Sequence, residues 1–413
     1  MFGKKEKQNI EISPAAVDEA LGRSIDKIYP SKDALREAIL SGRRLKIYLG
    51  VDPTGQHLHL GQLTNLLVLK KLQDLGQEII LLIGDFTAQI GDPTDKFATR
   101  RPLTKDEVKA NAKTFKEQVG RIIRFDGPNP AKIDFNSRWL EKMNLADWMK
   151  LSSYVTEQQK IARDMFQERL KEKKPIALHE FAYPLLQGYD SVALGVDMEI
   201  GGTDQTFNML MGRHLAKIYN NKEKFVLTTK LLENPKTGKK LMNKSEGGMV
   251  NLDDRPEEMF GKVMSLDDVA MFSVAEFSTE MPMARIDVLK KEVASAEMNP
   301  RDAKAEIAEA VVTVIYGEKA AHEAREKFKK MFFDKEMPVD APFLDATHGT
   351  TTMLVRASRA AVSNSEARRL IEQGALEIGG KVIKNPNLQL EKLGLKGGEI
   401  VKIGKKRFFR AKI

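Results

Sequence analysis

The stretch LGVDPTGQHLHLGQ, residues 49–62, sets His57 and His59 one residue apart, behind an Asp-Pro-Thr-Gly turn. Alternate residues share a face only on a strand, and Pro53 and Gly55 break the strand just upstream, so a metal-binding pair is a poor reading. Downstream, leucines at 60, 63, 66, 67, 72 and 75 recur mostly three and four apart, which predicts a helix from about Leu60 to Leu75. A loop entering a helix offers free N–H groups and the positive end of the helix dipole. The chemistry that fits is phosphate binding, with a histidine as hydrogen-bond donor. The usual phosphate and acyl-transfer motifs are missing: the chain has neither a GxxxxGKS/T loop nor a GxGxxG turn, and no GxSxG elbow. It also has no cysteine, which excludes disulfides, a thiolate nucleophile and Cys-type zinc sites, and fits a reducing compartment.

Three further segments carry polar groups at useful spacings. GDPTDKFATR, residues 91–100, places Asp92, Lys96 and Arg100 at four-residue steps; GGTDQTFN, 201–208, offers glycines that let a ligand approach the backbone; KKLMNKSEGG, 239–248, is a Lys, Gly and Ser loop. The elements that must position them are strands. KIYLGV (46–51) and EIILLIGD (78–85) read as buried strands flanking the helix, a β-α-β unit with a right-handed crossover. KIDFN (132–136) and DMEIGG (197–202) are further candidates, alternating with helical stretches, so an α/β nucleotide-type domain runs to about residue 235. Open sheets of this kind bind ligands beyond the C-terminal ends of their strands, where the opening loop, 91–100 and 201–208 fall.

Past the 233–248 loop, residues 252–335 read as helical, MPVDAPFLDATHGTT (337–351) as a linker, and the last 65 as a small α+β module. The predicted domains are therefore 1–235, 236–340 and 346–413. The net charge of +9 sits wholly in the last of these, where 14 Lys and Arg face 5 Glu while the rest of the chain balances. Such a focused basic surface points to a polyanion, nucleic acid ahead of membrane. The longest apolar run, IILLI at 79–83, is far too short to span a bilayer, and the N-terminus has charges without an apolar run, so a cytoplasmic protein is expected.

In order, spacing and flanking residues, these segments resemble a class I aminoacyl-tRNA synthetase, specifically a tyrosyl-tRNA synthetase of the bacterial type. HLHLG carries the HIGH-type signature; IGDPTDK, YPLLQGYD and IGGTDQ match the tyrosine-pocket segments; LMNKS stands where the KMSKS loop belongs. RASRAAVSNSEARRLIEQGALEIGGKVI is similar to the αL RNA-binding module of such enzymes. The resemblance runs from about residue 30 to the end. It implies a Rossmann-like parallel-sheet catalytic domain, then a helical domain, then a small α+β RNA-binding domain.

It also implies a reaction in two steps: tyrosine and ATP form tyrosyl-adenylate and pyrophosphate, and the tyrosyl group passes to the terminal adenosine of tRNA(Tyr). No protein nucleophile is needed, because the substrate carboxylate is already ionised; the enzyme aligns it with the α-phosphate and stabilises phosphate charge. By motif position, His59 and Thr54 bond the phosphates, while Lys96, Arg100, Lys240 and Lys244 close on pyrophosphate; His57 precedes the signature and reads as a turn residue. Tyr48 and Asp190 bond the phenolic hydroxyl, and Tyr183, Gln187, Asp92 and Gln205 hold the ammonium group. Gly50, Asp52, Gln62, Gly202 and Asp204 match ATP-contacting positions, Asp204 accepting from the ribose hydroxyls. Gln62 stands where His or Asn is usual. Leu241 fills the first slot of the lysine pentapeptide with Lys240 one residue early, so either the loop bulges to deliver Lys240 or Lys244 does most of the work.

Arg356, Arg359, Arg368, Arg369, Lys405, Lys406, Arg407 and Arg410 would grip tRNA phosphates. The pair Tyr48 and Asp190, with the basic module, argues for tyrosine over the related tryptophan enzymes. The resemblance further implies a homodimer, magnesium arriving with ATP, and neither an editing domain nor a protein-bound zinc.

Overall fold

A computed structural model describes residues 12–93, 102–161, 163–242, 248–332, 342–395, 397–404 and 407–413. The chain divides into two compact units, Met1–His322 and Glu323–Ile413. The first is built on six strands: β1 (Ile25–Tyr29), β2 (Lys46–Val51), β3 (Glu78–Ile83), β4 (Lys132–Phe135), β5 (Met198–Gly202) and β6 (Phe225–Thr229). Their order is β1-β6-β5-β2-β3-β4. All neighbours from β6 to β4 are parallel, and β1 closes the sheet antiparallel to β6. The four expected strands are present. β1 and β6 were not foreseen; β1 reads IDKIY, with an edge strand's mixed burial rather than an apolar run.

From β2 the chain winds outward to β3 and β4, then returns across β2 to form β5 and β6. The winding direction therefore reverses between β2 and β5, and a crevice opens beyond their C-terminal ends. The segments after those strands are 52–59 and 203–205. Every residue of β5 is buried, as are five of the six in β3, as expected of strands covered on both faces. The predicted helix spans Leu60–Asp74 and buries Leu60, Leu63, Leu66, Leu67 and Leu72. Gly76, with φ of 79°, turns the chain into β3. The stretch after residue 252 is helical as expected: Pro256–Met264, Met271–Ser278, Met283–Ala294 and Pro300–Tyr316 are the longer helices before residue 317. The first packs on Pro300–Tyr316 and the second on Leu60–Asp74.

The second unit carries strands β7 (Phe343–Asp345), β8 (Leu376–Ile378), β9 (Lys381–Ile383), β10 (Ile400–Ile403) and β11 (Arg407–Lys412), in the order β7-β11-β10-β8-β9. Helices Thr351–Ala357 and Asn364–Glu372 lie against it, around a core that includes Leu344, Leu354, Val355, Ile371, Leu376 and Val401. The stretch read as a linker thus contains a strand. Phe343–Asp345 pairs in parallel with β11, and Leu344 alone turns inward. Three residues with one apolar contact leave no periodicity to detect, and the prolines beside them suggested an open chain.

Gly84, just beyond β3, shows how tightly the crevice floor is built. A Cβ there would stand 1.8 Å from Asp52 Oδ1 and 2.5 Å from Thr87 Oγ1. Gly84→Ala should therefore destabilise the protein by about 1–3 kcal/mol, the usual cost of overpacking; urea unfolding that gives wild-type stability would show that the floor yields without strain.

Candidate active site

His59 is the N-cap of the Leu60–Asp74 helix, and its Nδ1 accepts from the Gly61 N–H at 3.1 Å. The Gln62 Oε1 reaches back to the His59 N–H at 3.0 Å, completing a capping box. With Nδ1 as acceptor, the proton of the neutral ring belongs on Nε2, which becomes the donor a phosphate needs. Burial, with a smaller contribution from Lys240, lowers the ring's pKa from 6.5 to about 4. Gly61 is required here, because a Cβ would lie 2.9 Å from His59 Cε1. Gln62 keeps its side-chain carbonyl on the cap and leaves the amide NH2 end for a ligand.

The chain that follows the lysine loop is stitched to this signature. Leu60 N–H donates to Val250 O at 3.1 Å and Leu252 N–H to Leu58 O at 2.8 Å. His57, exposed in the turn, adds a hydrogen bond to Asp253, with Nδ1 2.7 Å from Oδ2. Leu241 is 1% exposed, its N–H bonded to Leu232 O at 2.9 Å, so the residue that departs from the pentapeptide anchors the loop in the core. Lys240 is thereby turned outward and pairs with Asp204 Oδ2 at 2.6 Å. Thr54 is exposed in the turn, its N–H on Asp52 O at 2.8 Å. Lys96, Arg100 and Lys244 lie outside the described residues.

Beyond His59 lies a cluster of buried polar side chains. Tyr48 is fully buried, its hydroxyl 3.1 Å from Ser191 Oγ. Asp190, 3% exposed, accepts from Trp139 Nε1 at 2.7 Å and Asn136 Nδ2 at 3.2 Å. Burial drives its carboxyl well above the usual carboxylate range; those two donors oppose the shift, and nearby Glu199 and Asp52 reinforce it. Tyr183 donates to Asp52 Oδ2 at 2.9 Å, and Thr87 Oγ1 donates to Asp52 Oδ1 at 2.7 Å. Burial, then the charges of Asp52 and Asp92, raise the Tyr183 phenol well above its ordinary pKa. Gln205 Nε2 donates to Asp92 Oδ2 at 2.6 Å, and Asn208 Nδ2 bridges Gln205 Oε1 and Gln187 Oε1, each at 3.0 Å.

The seven residues Tyr48, Asp52, Asp92, Tyr183, Gln187, Asp190 and Gln205 are thus linked by shared hydrogen bonds or charge. Gly50 is the one exposed residue of β2. At Gly202 a Cβ would meet Asp204 Oδ1 at 2.6 Å, so the glycine makes room for that carboxylate. Sequence reasoning missed Asn136, Trp139, Thr87, Ser191, Glu199 and Lys224. The available signal was two opposite charges, Glu199 inside an apolar strand and Lys224 just before another.

In the second unit, Arg356, Arg359, Arg368, Arg369 and Arg407 are exposed and Arg410 is half-buried. Arg407 donates to the Arg359 carbonyl at 2.8 Å, drawing the start of β11 onto the turn between the two helices. Lys405 and Lys406 lie outside the described residues.

A sheet that binds at its switch point, a neutral histidine opening a helix and a separate basic α+β unit together describe a class I aminoacyl-tRNA synthetase. Residues 40–333 match the model of the tRNA synthetases class I (W and Y), and residues 353–392 that of the S4 domain. A tyrosine–tRNA ligase of Carboxydothermus hydrogenoformans is 40% identical over 402 residues, covering 95% of this chain and 96% of the relative. One from Moorella thermoacetica is 39% identical over 395 residues, 94% of each chain. Among solved structures, a C-terminally truncated mitochondrial tyrosyl-tRNA synthetase of Aspergillus nidulans superposes with a TM-score of 0.63 at 22% identity, over 79% of this chain and 96% of that one. The chain belongs to the tyrosine–tRNA ligase family of the class I tRNA synthetases.

The lowered pKa of His59 has a sign that can be tested. The folded protein binds fewer protons than the unfolded chain between about 4 and 6.5, so the neutral ring's contribution is complete above 6.5 and is lost as pH falls towards about 4. His59→Asn keeps a capping oxygen but does not titrate in this range. The stability difference between wild type and variant should shrink across that window in urea unfolding, and a difference independent of pH would contradict the assignment.

Proposed function

We propose that tyrosine is activated in the crevice between β2 and β5 and then transferred to tRNA(Tyr) with the help of the basic second unit. Tyrosine enters phenol first. Its hydroxyl donates to Asp190 and accepts from Tyr48, while its ammonium lies among Tyr183, Gln187, Asp92 and Gln205. The observation that carries this reading is Asp190: a buried carboxylate with one indole and one amide donor, which retains acceptor capacity for a phenolic O–H. Phenylalanine would leave each of these groups one hydrogen bond short of what tyrosine gives it, and that cost falls on the wrong substrate alone.

ATP lies over the turn that follows β2. His59 donates through Nε2 to the phosphates, Thr54 supports the γ-phosphate, and Gly50, Asp52, Gln62 and Gly202 line the nucleotide path. Asp204 receives the ribose hydroxyls. Lys240 is close enough to serve either Asp204 or the pyrophosphate, and with Lys96, Arg100 and Lys244 it supplies positive charge as the phosphate bond breaks. The tyrosine carboxylate attacks the α-phosphorus, the bond to the bridging oxygen breaks and pyrophosphate leaves with the electron pair; no protein atom forms a bond. Asp52 and Asp92 already carry donors, so magnesium would come with ATP on phosphate oxygens and water rather than in a protein cage.

Residues 1–235 supply this chemistry, 236–340 the lysine loop and its helical support, and 346–413 the tRNA grip through Arg356, Arg359, Arg368, Arg369, Lys405, Lys406, Arg407 and Arg410. A homodimer is favoured by Leu145 and Met149, 75% and 61% exposed one turn apart on a single helix, an apolar stripe that a second copy would cover. No helix among the described residues is long and apolar enough to cross a membrane, and we place the protein in the cytoplasm with its substrates.

Amino-acid-dependent ATP–pyrophosphate exchange tests the reading. Tyrosine should support it and tryptophan should not. Asp190→Ala should lower kcat/KM for tyrosine roughly tenfold to a hundredfold, the range for a hydrogen bond to a charged group, while the KM for ATP holds. Equal losses for both ligands would remove Asp190 from the tyrosine pocket.

A further inference from the structure

Beneath the phenol end of the pocket lies a charged pair that the reaction leaves unused. Lys224, the residue before β6, is 0% exposed, and Glu199 of β5, the register partner of Tyr48, is 2% exposed. Lys224 Nζ donates to Glu199 Oε2, and to Ser191 Oγ at 2.8 Å. Ser191 Oγ lies 3.1 Å from the Tyr48 hydroxyl and 3.3 Å from Glu199 Oε2. Glu199 Oε1 accepts from Gln187 Nε2 at 3.1 Å. Gly212 leaves the room for this cluster: a Cβ there would stand 2.6 Å from both Lys224 Nζ and Ser191 Oγ.

A fully buried ion pair is a weak source of stability, because desolvation consumes most of the attraction. Its geometry offers another role. An ammonium has three donors and no acceptor, so Ser191 Oγ must accept from Lys224. The single serine proton then goes to Glu199 or to Tyr48, and the Tyr48 contact is the shorter. With Tyr48 as acceptor, its own O–H, which Glu199 also attracts, turns to a phenol oxygen, and the phenol O–H in turn donates a hydrogen bond to Asp190. Every donor in the chain from ammonium to carboxylate then points the same way, and each polarises the next.

We propose that Lys224 and Ser191 are positioning residues that fix the Tyr48 hydroxyl as a donor to the phenol oxygen of bound tyrosine, with Glu199 holding the ammonium in place. This deepens the tyrosine-pocket reading and rests on it. Phenylalanine has no oxygen to receive the directed O–H, so the buried pair serves discrimination rather than bond making.

A double-mutant cycle on the full-length protein tests the relay. Exchange kinetics would be measured with tyrosine and with phenylalanine for wild type, Ser191→Ala, Tyr48→Phe and the double variant. Ser191→Ala should lower kcat/KM for tyrosine about tenfold, mainly through KM, with phenylalanine use and the KM for ATP nearly unchanged. In the Tyr48→Phe background the same change should add less than about twofold, since the hydroxyl it orients is gone. Lys224→Met should match Ser191→Ala; should it fail to fold, the serine cycle still decides. Equal losses in both backgrounds, or a Ser191→Ala protein with wild-type tyrosine kinetics, would overturn the relay while leaving the pocket standing. A Tyr48→Phe protein that uses tyrosine as well as wild type does would overturn the pocket reading together with the relay built on it.

Discussion

A carboxylate sealed away from water, with one indole N–H and one amide to compensate it, constrains the whole catalytic unit. Asp190 lies among other carboxylates that push against its ionisation. Such a group is costly to bury unless it is hydrogen-bonded, and its two donors, Asn136 and Trp139, both come from the segment after β4. Asp190 itself comes from the Tyr183–Leu194 helix, and Tyr48 from β2. On that helix Tyr183, Gln187, Asp190 and Ser191 fall at offsets of four, seven and eight, the spacing that puts side chains on one face. The parallel sheet fixes the distance between the strands, and the helix period fixes which polar atoms meet. On our proposal these groups receive an oxygen that can both give and take a hydrogen bond, which among the aromatic amino acids only tyrosine carries.

On the same proposal the reversal of strand order places the nucleotide beside the amino acid. Asp52 follows β2 and would join the two regions, accepting from Tyr183 and from Thr87. His59 then starts its helix as a neutral donor because burial removes the cationic form. A cation at that position would bind ATP and pyrophosphate strongly in all states; a neutral donor leaves the charge to lysines that can approach and withdraw. Lys240 is paired with Asp204. The chain after the lysine loop is tied to the signature through residues 250–253.

Much of this was legible in the sequence because it rests on local pattern. β2, β3 and the helix between them are long apolar runs punctuated by Pro53, Gly55 and Gly76, and the C-terminal charge surplus pointed to a separate basic module. Among the strands that escaped, β6 included, β1 and β7 are a polar edge and a three-residue pairing, which acquire their identity only from a distant partner. The two departures from the signature make sense only in three dimensions. Gln62 serves the helix cap and Leu241 the core, neither of which a motif records. The Lys224–Glu199 pair was invisible for a related reason: its members are 25 residues apart, meeting across parallel strands, and an isolated charge in sequence reads as surface.

The central claim is that the oxygen-seeking slot beside Asp190 is where the amino acid binds. Crystals of the protein grown with L-tyrosine and a non-hydrolysable ATP analogue address it directly. The phenol oxygen should lie within hydrogen-bonding distance of both Asp190 and the Tyr48 hydroxyl, with the amino group among Tyr183, Gln187 and Asp92. Electron density for the amino acid at any other position, or with its ring reversed so that the ammonium meets Asp190, would contradict the account.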